Sequence, residues 1–448
     1  MNASLAQVAR ATRGVLHGED AVFTRISIDT RSLAAGELFV ALQGERFDGH
    51  DFVGAAVERG AAGALVARPV QDRIPEVRVT DTRLALGEYA RSWREQFDFP
   101  VIGVTGSNGK TTVKHLLASI MASKGEVLAT RGNLNNDIGV PLTLLELRAE
   151  HTAAVIEMGA NHPGEIRYLA RLARPTVGIV SNAGPAHLEG FGDLDGVARA
   201  KGELFEELQD GGTAIINADD NYADFWRELA APRRVVSFGL EAAADFSVDD
   251  LEMSAGGSRF TLQTPDGDVD IALHLPGRHN VRNAMGAAAA AWAAGAQREH
   301  IARGLAAGEG VAGRLRLLRG VHGGQVVDDT YNANPASLRA ALDWLRDMNM
   351  PVCLVLGDMK ELGPQSADLH ADCGRYARAA GVTRLYGLGE FSRHAVQAFG
   401  AEGGHYATPE SLLQQLRADL APDSVVLVKG SRGMRMERIV AALTAGGD

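Results

Sequence analysis

Cysteine is scarce in this chain, with Cys353 and Cys373 the only two among 448 residues. Two cysteines supply neither a disulfide framework nor the spacing of a zinc site. Long apolar runs are also missing, because the most apolar stretch, around 284–296, is short and alanine-rich. The N-terminal residues lack the basic-then-apolar layout of a signal peptide. A cytoplasmic protein without membrane insertion is therefore expected.

Blocks of lysine or arginine do not occur, and the formal net charge is −11 with a pI near 5.7. This charge argues against a nucleic-acid partner, which requires an extended basic surface. The same charge does not exclude binding of small anionic ligands, because a loop of backbone N–H groups creates a local positive potential inside an acidic protein. The length exceeds what one hydrophobic core holds and predicts several domains.

The most informative motif is VTGSNGKTT at residues 104–112. It nearly fits the G-x-x-x-x-G-K-S/T phosphate loop, but Val104 stands where that pattern has glycine. A strand-type run precedes the motif and a helical pattern follows it, which directs backbone N–H groups at an anion. Lys110 would reach the β- and γ-phosphates, and Thr111 would ligate Mg²⁺. The motif predicts binding of a nucleoside triphosphate through Gly106, Ser107, Asn108, Gly109, Lys110, Thr111 and Thr112.

Apolar runs divide the chain into three segments and predict an α/β fold. Residues 1–82 carry short strand patterns and a helix, without a phosphate loop. From 83 to 311, strands alternate with helices, which is typical of a parallel sheet wrapped by helices. Polar alternating runs at 246–275 predict an antiparallel insert. From 312 to 448 the alternation restarts and predicts a second, smaller Rossmann-like α/β domain.

Polar residues follow several predicted strands of the middle segment, where parallel sheets bind ligands. Glu157 ends one strand and is either a Mg²⁺ ligand or a solvent-facing glutamate. His187 closes the turn after the next strand and is either a surface residue or a ligand for a second Mg²⁺ or Mn²⁺. Lys201 opens a helical stretch, and composition alone indicates a solvated lysine, because an ammonium group cannot ligate a cation.

Two groups of asparagines each have a local and a functional interpretation. Asn133, Asn135 and Asn136 lie near glycines, where asparagine favours turns, and three amides in four residues would also bind a polar substrate. Asn280 and Asn283 are three residues apart and share one helix face. Helix capping explains one of them, and the alternative is that both bind an adenine edge.

The whole chain resembles the ATP-dependent Mur ligases of peptidoglycan synthesis. Their loop reads T-G-x-x-G-K-T, so the position of Val104 needs no glycine. The resemblance implies that Lys201 is carried as a carbamate, which is anionic and removes the objection to a lysine ligand. It further implies two Mg²⁺ sites formed by Thr111, Glu157, His187 and Lys201, and a catalytic set of Lys110, Glu157, His187 and Lys201.

Motifs at both ends of the chain indicate which member of the family the sequence resembles. SIDTR at 27–31 and FVALQGERFDGHDF at 39–52 are similar to the family's UDP-sugar-binding domain. DTYNANP at 329–335, together with 356–363 and 429–434, is similar to the family member that adds a dipeptide. The D-N-P-R motif of the member that adds a diamino acid does not occur. The implied substrate contacts are Ser27, Thr30, Arg31, Asp48, His50, Asn133, Asn135, Asn136, Tyr331, Asn332 and Asn334.

The resemblance implies an amide ligase with ATP and Mg²⁺ as cofactors. The terminal carboxylate of UDP-N-acetylmuramoyl-tripeptide would be activated as an acyl phosphate and then joined to D-alanyl-D-alanine. Arg314 would close onto the phosphates and Asp329 would hold the ribose. Because both follow the ATP-loop domain, a lid-like closure is expected. A monomer is expected.

Three other functions compete with this interpretation. Another superfamily member, such as a folylpolyglutamate synthase, would lack the UDP-type N-terminal segment. A P-loop ATPase that drives motion would release phosphate without both substrates. A nucleotide-sugar-binding protein without chemistry would not need the predicted metal ligands.

Overall fold

The computed structural model describes residues 2–44, 46–71, 73–347, 351–422 and 424–444. Glu45, within the motif at 39–52, lies outside the described residues. Three mainly parallel sheets follow one another along the chain, and helices pack against them. The predicted α/β class with three domains is confirmed, and the domain limits at 82/83 and 311/312 stay a prediction.

The first sheet combines one antiparallel edge with parallel pairing. Its strands lie in the order Val15–His17, Glu76–Arg78, Gly63–Val66, Leu38–Val40 and Ile26–Ser27. A second, two-stranded sheet pairs Ala3–Ser4 with Val22–Phe23. The helices of this part of the chain are Leu5–Thr12, Val53–Glu58 and Thr82–Arg94, with a 3₁₀ turn at Gly49–Phe52.

The middle sheet has six strands, and every pairing in it is parallel. Its central strands are buried along their whole length, as continuous apolar runs between two helical layers require. The order is Arg234–Phe238, Thr213–Asn217, Val177–Val180, Val101–Thr105, His151–Glu157 and Glu126–Ala129. The helices are Lys110–Ala122, Gly139–Leu144, Glu165–Ala173, Leu188–Phe191, Leu194–Glu206, Ala223–Ala230, Arg278–Ala293 and Arg298–Ala307.

Small residues let the helix Arg278–Ala293 lie close to the middle sheet. A Cβ atom added at Gly286 would be 2.9 Å from Ile179 and 3.0 Å from Phe238. Five consecutive alanines, at positions 287–291, are each 0% exposed. Alanine has high helix propensity and little bulk, so this segment forms a helix that approaches the sheet closely. The predicted packed helix is confirmed.

The predicted antiparallel insert is also confirmed, as a three-stranded sheet of Ser247–Ser254, Gly257–Gln263 and Val269–Leu273.

The last sheet is parallel except for its antiparallel edge strand. Its strands lie in the order Arg316–Arg319, Gln325–Asp329, Val425–Lys429, Val352–Gly357, Val382–Leu388 and Gly403–Tyr406. Its helices are Pro335–Asp347, Ser366–Ala379, Ser392–Phe399, Pro409–Asp419 and Glu437–Thr444, with 3₁₀ turns at Gly363–Gln365 and Arg432–Met434. No helix within the described ranges combines the length and apolarity needed to cross a membrane.

Gly304→Ala tests the packing of the helix Arg298–Ala307 on the helix Lys110–Ala122. A Cβ atom at Gly304 would be 2.2 Å from the Cα atom of Ile120, so the two helices must separate. We expect a loss of about 1–3 kcal/mol in the free energy of unfolding, typical of overpacking. Denaturant unfolding measures it, with the neighbouring exposed Arg303→Ala as the control, expected within about 0.5 kcal/mol of the parent. Equal stability of both variants would contradict the close contact.

Candidate nucleotide and substrate site

The loop at 106–109 joins a buried strand to the start of the helix Lys110–Ala122 and leaves no room for side chains at its glycines. Gly109 has φ +81° and Gly106 has φ +143°. An added Cβ atom would lie 2.0 Å from Ser181 Oγ at Gly106 and 2.4 Å from Asn283 Oδ1 at Gly109. Glycine is therefore required here both by backbone conformation and by close neighbours.

The end of the adjacent strand fixes the shape of this loop. The backbone N–H of Ser107 donates to the Asn182 carbonyl at 3.0 Å, and that of Asn108 donates to Asn182 Oδ1 at 2.9 Å. Ser181 Oγ donates to the Asn108 carbonyl at 2.6 Å. Ser181 and Asn182 were not among the predicted site residues, although their position at the end of a predicted parallel strand was a usable signal. The N–H groups of the first helical turn, which have no intrahelical acceptor, remain for an anion.

Lys110 folds back over the loop, and its Nζ donates to the Gly106 carbonyl at 2.7 Å. Burial lowers the pKa of this lysine, the positive charge of Arg314 acts in the same direction, and the carboxylate of Glu157 opposes both. Lys110 is half-buried, and an ammonium group that has lost part of its hydration with only partial compensation favours an anionic ligand. This is the property that a phosphate-binding lysine requires.

Glu157 ends its strand as a buried carboxylate held by three side chains. Its Oε1 accepts from Asn135 Nδ2 at 2.8 Å and from Thr111 Oγ1 at 3.4 Å. Its Oε2 forms an ion pair with Lys114 Nζ at 3.1 Å. Burial alone would raise the pKa of Glu157, but Lys114 and Lys110 outweigh it and the pKa is lowered. The solvent-facing alternative for Glu157 is wrong, since the residue is 2% exposed.

Lys201 is also buried, at 1% exposure, which excludes the solvated-lysine interpretation. Its ammonium group lies 5.2 Å from the centre of the Phe191 ring. Burial lowers the pKa of Lys201 to about 7, and the charge of Lys110 acts in the same direction. A large fraction of this amine is therefore neutral and nucleophilic at neutral pH.

His187 adopts a left-handed conformation with φ +55° at the start of a short helix. Its Nδ1 contacts the carboxylate of Glu361, which belongs to the C-terminal part of the chain. The hydrogen bond from His187 is the main cause of a lowered pKa for Glu361. His187 is a quarter exposed at its side chain, so it faces the space between these two parts of the chain.

The two asparagine groups have different surroundings. Asn136 Oδ1 accepts from the N–H of Gly139 at 2.9 Å, which is the local turn contact, whereas Asn135 binds Glu157. Capping does not explain Asn280 or Asn283, because Gly277 occupies the N-cap position of their helix. Asn283 Nδ2 instead donates to Asn280 Oδ1 at 3.1 Å.

Residues of the C-terminal part of the chain contact the phosphate loop directly. Arg314 Nη2 donates to Thr111 Oγ1 at 3.0 Å, and its guanidinium carbon lies 4.4 Å from the centre of the Tyr331 ring. Asn334 Nδ2 donates to Asn108 Oδ1 at 2.7 Å. These contacts join the last sheet to the nucleotide loop.

Asp329 and Asn332 share a buried lysine. The ammonium group of Lys429, 2% exposed, pairs with Asp329 Oδ2 and donates to the Asn332 carbonyl at 3.1 Å. Lys429 was predicted only as part of the motif at 429–434, because its pairing with Asp329 joins two strands about one hundred residues apart.

A single cavity of about 1150 Å³ brings most of the predicted residues together. Gly106 and Lys201 do not line it, and neither do the five predicted residues between Ser27 and His50. The predicted residues that line it are Ser107, Asn108, Gly109, Lys110, Thr111, Thr112, Asn133, Asn135, Asn136, Glu157, His187, Asn280, Asn283, Arg314, Asp329, Tyr331, Asn332 and Asn334.

The predicted N-terminal substrate residues lie apart from this cavity and partly serve the local fold. His50 is buried, its Nδ1 pairs with Asp48 at 2.6 Å and its Nε2 accepts from the N–H of Ala67 at 2.8 Å. Both ring nitrogens of His50 are therefore engaged within the first domain, and its predicted substrate contact stays a prediction. Ser27 is buried, whereas Thr30 is half-buried and Arg31 is exposed.

The donor set suits magnesium better than a transition metal. No group of three or more His, Cys, Asp or Glu side chains able to hold a metal occurs among the residues that the structure describes. Thr111 and Glu157, however, bring two hard oxygen donors together beside the phosphate loop. Mg²⁺ binds few protein ligands and completes its shell with phosphates and water, so these residues fit it.

Family models match most of the chain in three consecutive pieces. The model described as Mur ligase family, catalytic domain, matches residues 22–94. The Mur ligase middle domain matches 104–291, and the Mur ligase, glutamate ligase domain, matches 313–432. The UDP-N-acetylmuramoyl-tripeptide–D-alanyl-D-alanine ligase of Escherichia coli (strain K12) is 45% identical over 100% of this chain and 99% of its own. The chain belongs to the Mur ligase family.

Solved structures agree with this assignment to the Mur ligase family. A crystal structure of MurF from Acinetobacter baumannii has a TM-score of 0.95 and 38% identity, and the match covers 99% of both chains. MurF ligase from Thermotoga maritima, solved in complex with ADP, has a TM-score of 0.84 and 29% identity over 93% of this chain and 96% of its own. The resemblance drawn from the motifs is confirmed.

Gly109→Ala tests the loop geometry against a matched glycine. We expect a loss of ADP affinity of more than tenfold, because the new Cβ atom would meet Asn283 Oδ1. Gly211→Ala is the control, since Gly211 has a similar φ of +75° but nothing within 4 Å of an added Cβ atom. Both variants incur about 1–2 kcal/mol of backbone strain, and the contact with Asn283 adds to it in Gly109→Ala, so the melting temperature of Gly109→Ala should fall at least as far as that of Gly211→Ala. Calorimetric titration with ADP separates them, and equal affinities would contradict the steric argument.

Proposed function

We propose that this chain joins D-alanyl-D-alanine to UDP-N-acetylmuramoyl-tripeptide in an ATP-dependent reaction of peptidoglycan synthesis. The observation that carries the proposal is the cavity where the phosphate loop, Glu157 and the C-terminal residues Arg314 and Asn334 meet. Full-length similarity to the enzymes named for this reaction supports it. The motif DTYNANP at 329–335 contributes five residues to the cavity wall, which favours the dipeptide-adding reaction within the family.

The proposed reaction has two stages. The terminal carboxylate of the tripeptide attacks the γ-phosphorus of ATP, and an acyl phosphate forms as ADP leaves. The amine of D-alanyl-D-alanine then attacks the acyl carbon, and phosphate leaves from a tetrahedral intermediate. Activation is required because a carboxylate is a poor electrophile, and catalysis consists mainly of positioning and charge neutralisation.

Five residues supply this neutralisation in the proposal, namely Lys110, Thr111, Glu157, His187 and Lys201. Lys110 would bind the β- and γ-phosphates, since its ammonium group already lies over the loop. Thr111 and Glu157 hold one Mg²⁺, and His187 holds a second Mg²⁺ or Mn²⁺. Mg²⁺, when bound, neutralises charge on the transferred phosphoryl group. Because Nδ1 of His187 contacts Glu361, a cation would bind Nε2, and the carboxylate would hold the ring in its orientation.

Lys201 takes its metal-binding role as a carbamate in this proposal. Carbamylation needs a neutral amine that attacks carbon dioxide with loss of one proton, and a pKa of about 7 supplies that amine. The product is an anion, which an apolar wall such as Phe191 would not stabilise by itself. Lys110, whose charge already acts on Lys201, and the cation would provide the compensation.

Residues of the last domain complete the nucleotide site. Arg314 reaches Thr111 at the first helical turn and would contact the γ-phosphate. Asp329 would hold the ribose, with Asn280 and Asn283 near the adenine. Tyr331, Asn332 and Asn334 would bind the incoming dipeptide. The UDP-sugar would bind the first domain through Ser27, Thr30, Arg31, Asp48 and His50, outside the main cavity.

Phosphate release tests the proposed function and separates it from its competitors. We expect release only when ATP, UDP-N-acetylmuramoyl-tripeptide and D-alanyl-D-alanine are all present, because the acyl phosphate needs an amine to complete turnover. A coupled phosphate assay measures it, with D-alanine in place of the dipeptide as the control. Rapid release from ATP alone would instead indicate a hydrolysing ATPase. Activity with folate and glutamate would indicate the other superfamily member.

Lys201→Ala tests the carbamate. We expect ligation to fall by more than a hundredfold, because a metal ligand is lost from the site, and short carboxylic acids such as formate or acetate should restore part of it. Arg199→Ala, on the same helix and exposed, should keep nearly full activity. Full activity of Lys201→Ala without added acid would remove the carbamate from the mechanism.

A further inference from the structure

A second lysine of the phosphate-loop helix, Lys114, has no part in the mechanism above. It follows Lys110 by four residues and therefore lies on the same helix face, one turn farther along. Its side chain is 1% exposed. The ammonium group pairs with Glu157 Oε2 at 3.1 Å and donates to the Gly132 carbonyl at 3.2 Å. A fully buried lysine is rare and requires a compensating charge, which Glu157 supplies.

The two oxygens of Glu157 face different surroundings. Oε2 faces Lys114, whereas Oε1 receives Asn135 and Thr111 at the phosphate loop. Lys110 also acts on this carboxylate through its positive charge. The negative charge that would attract a cation to this strand end is therefore already balanced by two ammonium groups.

A divalent cation that enters beside Glu157 must overcome repulsion from both lysines. Coulomb interactions over a few ångströms in a buried site are much stronger than in water. ATP and ADP carry several negative charges, so a bound nucleotide changes the net charge around Glu157 from positive to negative. The cation would then bind together with the nucleotide and not before it.

We propose that Lys114 is an internal counter-ion of Glu157 that keeps the cation site closed to divalent ions until a nucleotide is bound. The proposal rests on the role of Glu157 as a cation ligand. Lys114 acts through Glu157 and contacts no substrate, so it is a positioning residue. A purely structural ion pair would stabilise the fold without changing the order in which cation and nucleotide bind.

Binding of Mn²⁺ without nucleotide tests this role directly. The electron paramagnetic resonance signal of free Mn²⁺ gives the dissociation constant at pH 8, in the absence of any turnover. We expect Lys114→Met and Lys114→Gln to bind Mn²⁺ at least tenfold more tightly than the parent chain, because the competing charge is gone. The glutamine variant keeps a donor for the Gly132 carbonyl, so it separates charge from hydrogen bonding.

Lys124→Met is the matched control. Lys124 follows the same helix and donates to the Ala294 carbonyl at 3.4 Å, but no carboxylate pairs with it among the described contacts. Its Mn²⁺ affinity should equal that of the parent. Unchanged or weaker Mn²⁺ binding in both Lys114 variants would overturn the proposal. Tight Mn²⁺ binding by the parent chain without nucleotide would overturn it as well, whether or not the variants fold.

A second arm with saturating ADP tests the cation role of Glu157 separately. There the parent should bind Mn²⁺, and Glu157→Gln should weaken this binding at least tenfold. If Glu157→Gln binds Mn²⁺ normally with ADP, the metal role itself fails. If that variant is weakened but the Lys114 variants gain nothing without nucleotide, only the counter-ion role fails.

Discussion

The site depends on how closely the phosphate loop approaches its neighbours. Two glycines let the backbone lie against Ser181 on one side and Asn283 on the other, where a single methyl group would not fit. Ser181 ends a neighbouring strand, and Asn283 belongs to the alanine-rich helix that lies flat on the sheet. The loop therefore takes its shape from the packed middle domain, and the first helical turn is presented to an anion by a rigid support.

Residues of the last domain contact the phosphate loop and its neighbours, so they belong to the same site as the middle domain. Arg314 reaches Thr111, Asn334 reaches Asn108, and Glu361 reaches His187. Each of these pairs joins a predicted nucleotide or metal residue to a residue more than one hundred positions away. A change in the relative position of the two domains must alter these three contacts, which links domain closure to completion of the site.

The sequence was sufficient for the fold class and for the residues that a local motif identifies. The phosphate loop, the strand ending in Glu157 and the antiparallel insert all follow local patterns, and the structure places them as predicted. The burial of Lys114 and Lys201 was not predictable, because a charged residue on a helix reads as solvated until its neighbours in space are known. Pairings such as Lys429 with Asp329 likewise depend on strand order.

The hydrogen bond between Asn334 and Asn108 joins two neutral amides. Ionic strength screens ion pairs but leaves a contact between uncharged groups nearly unaffected. The same Asn334 accepts from the N–H of Ser337 at 2.8 Å, so the start of the helix Pro335–Asp347 is held by the residue that contacts the loop. The register between the last domain and the nucleotide loop is thus set by groups that neither salt nor pH alters, even where the charged contacts around them respond to both.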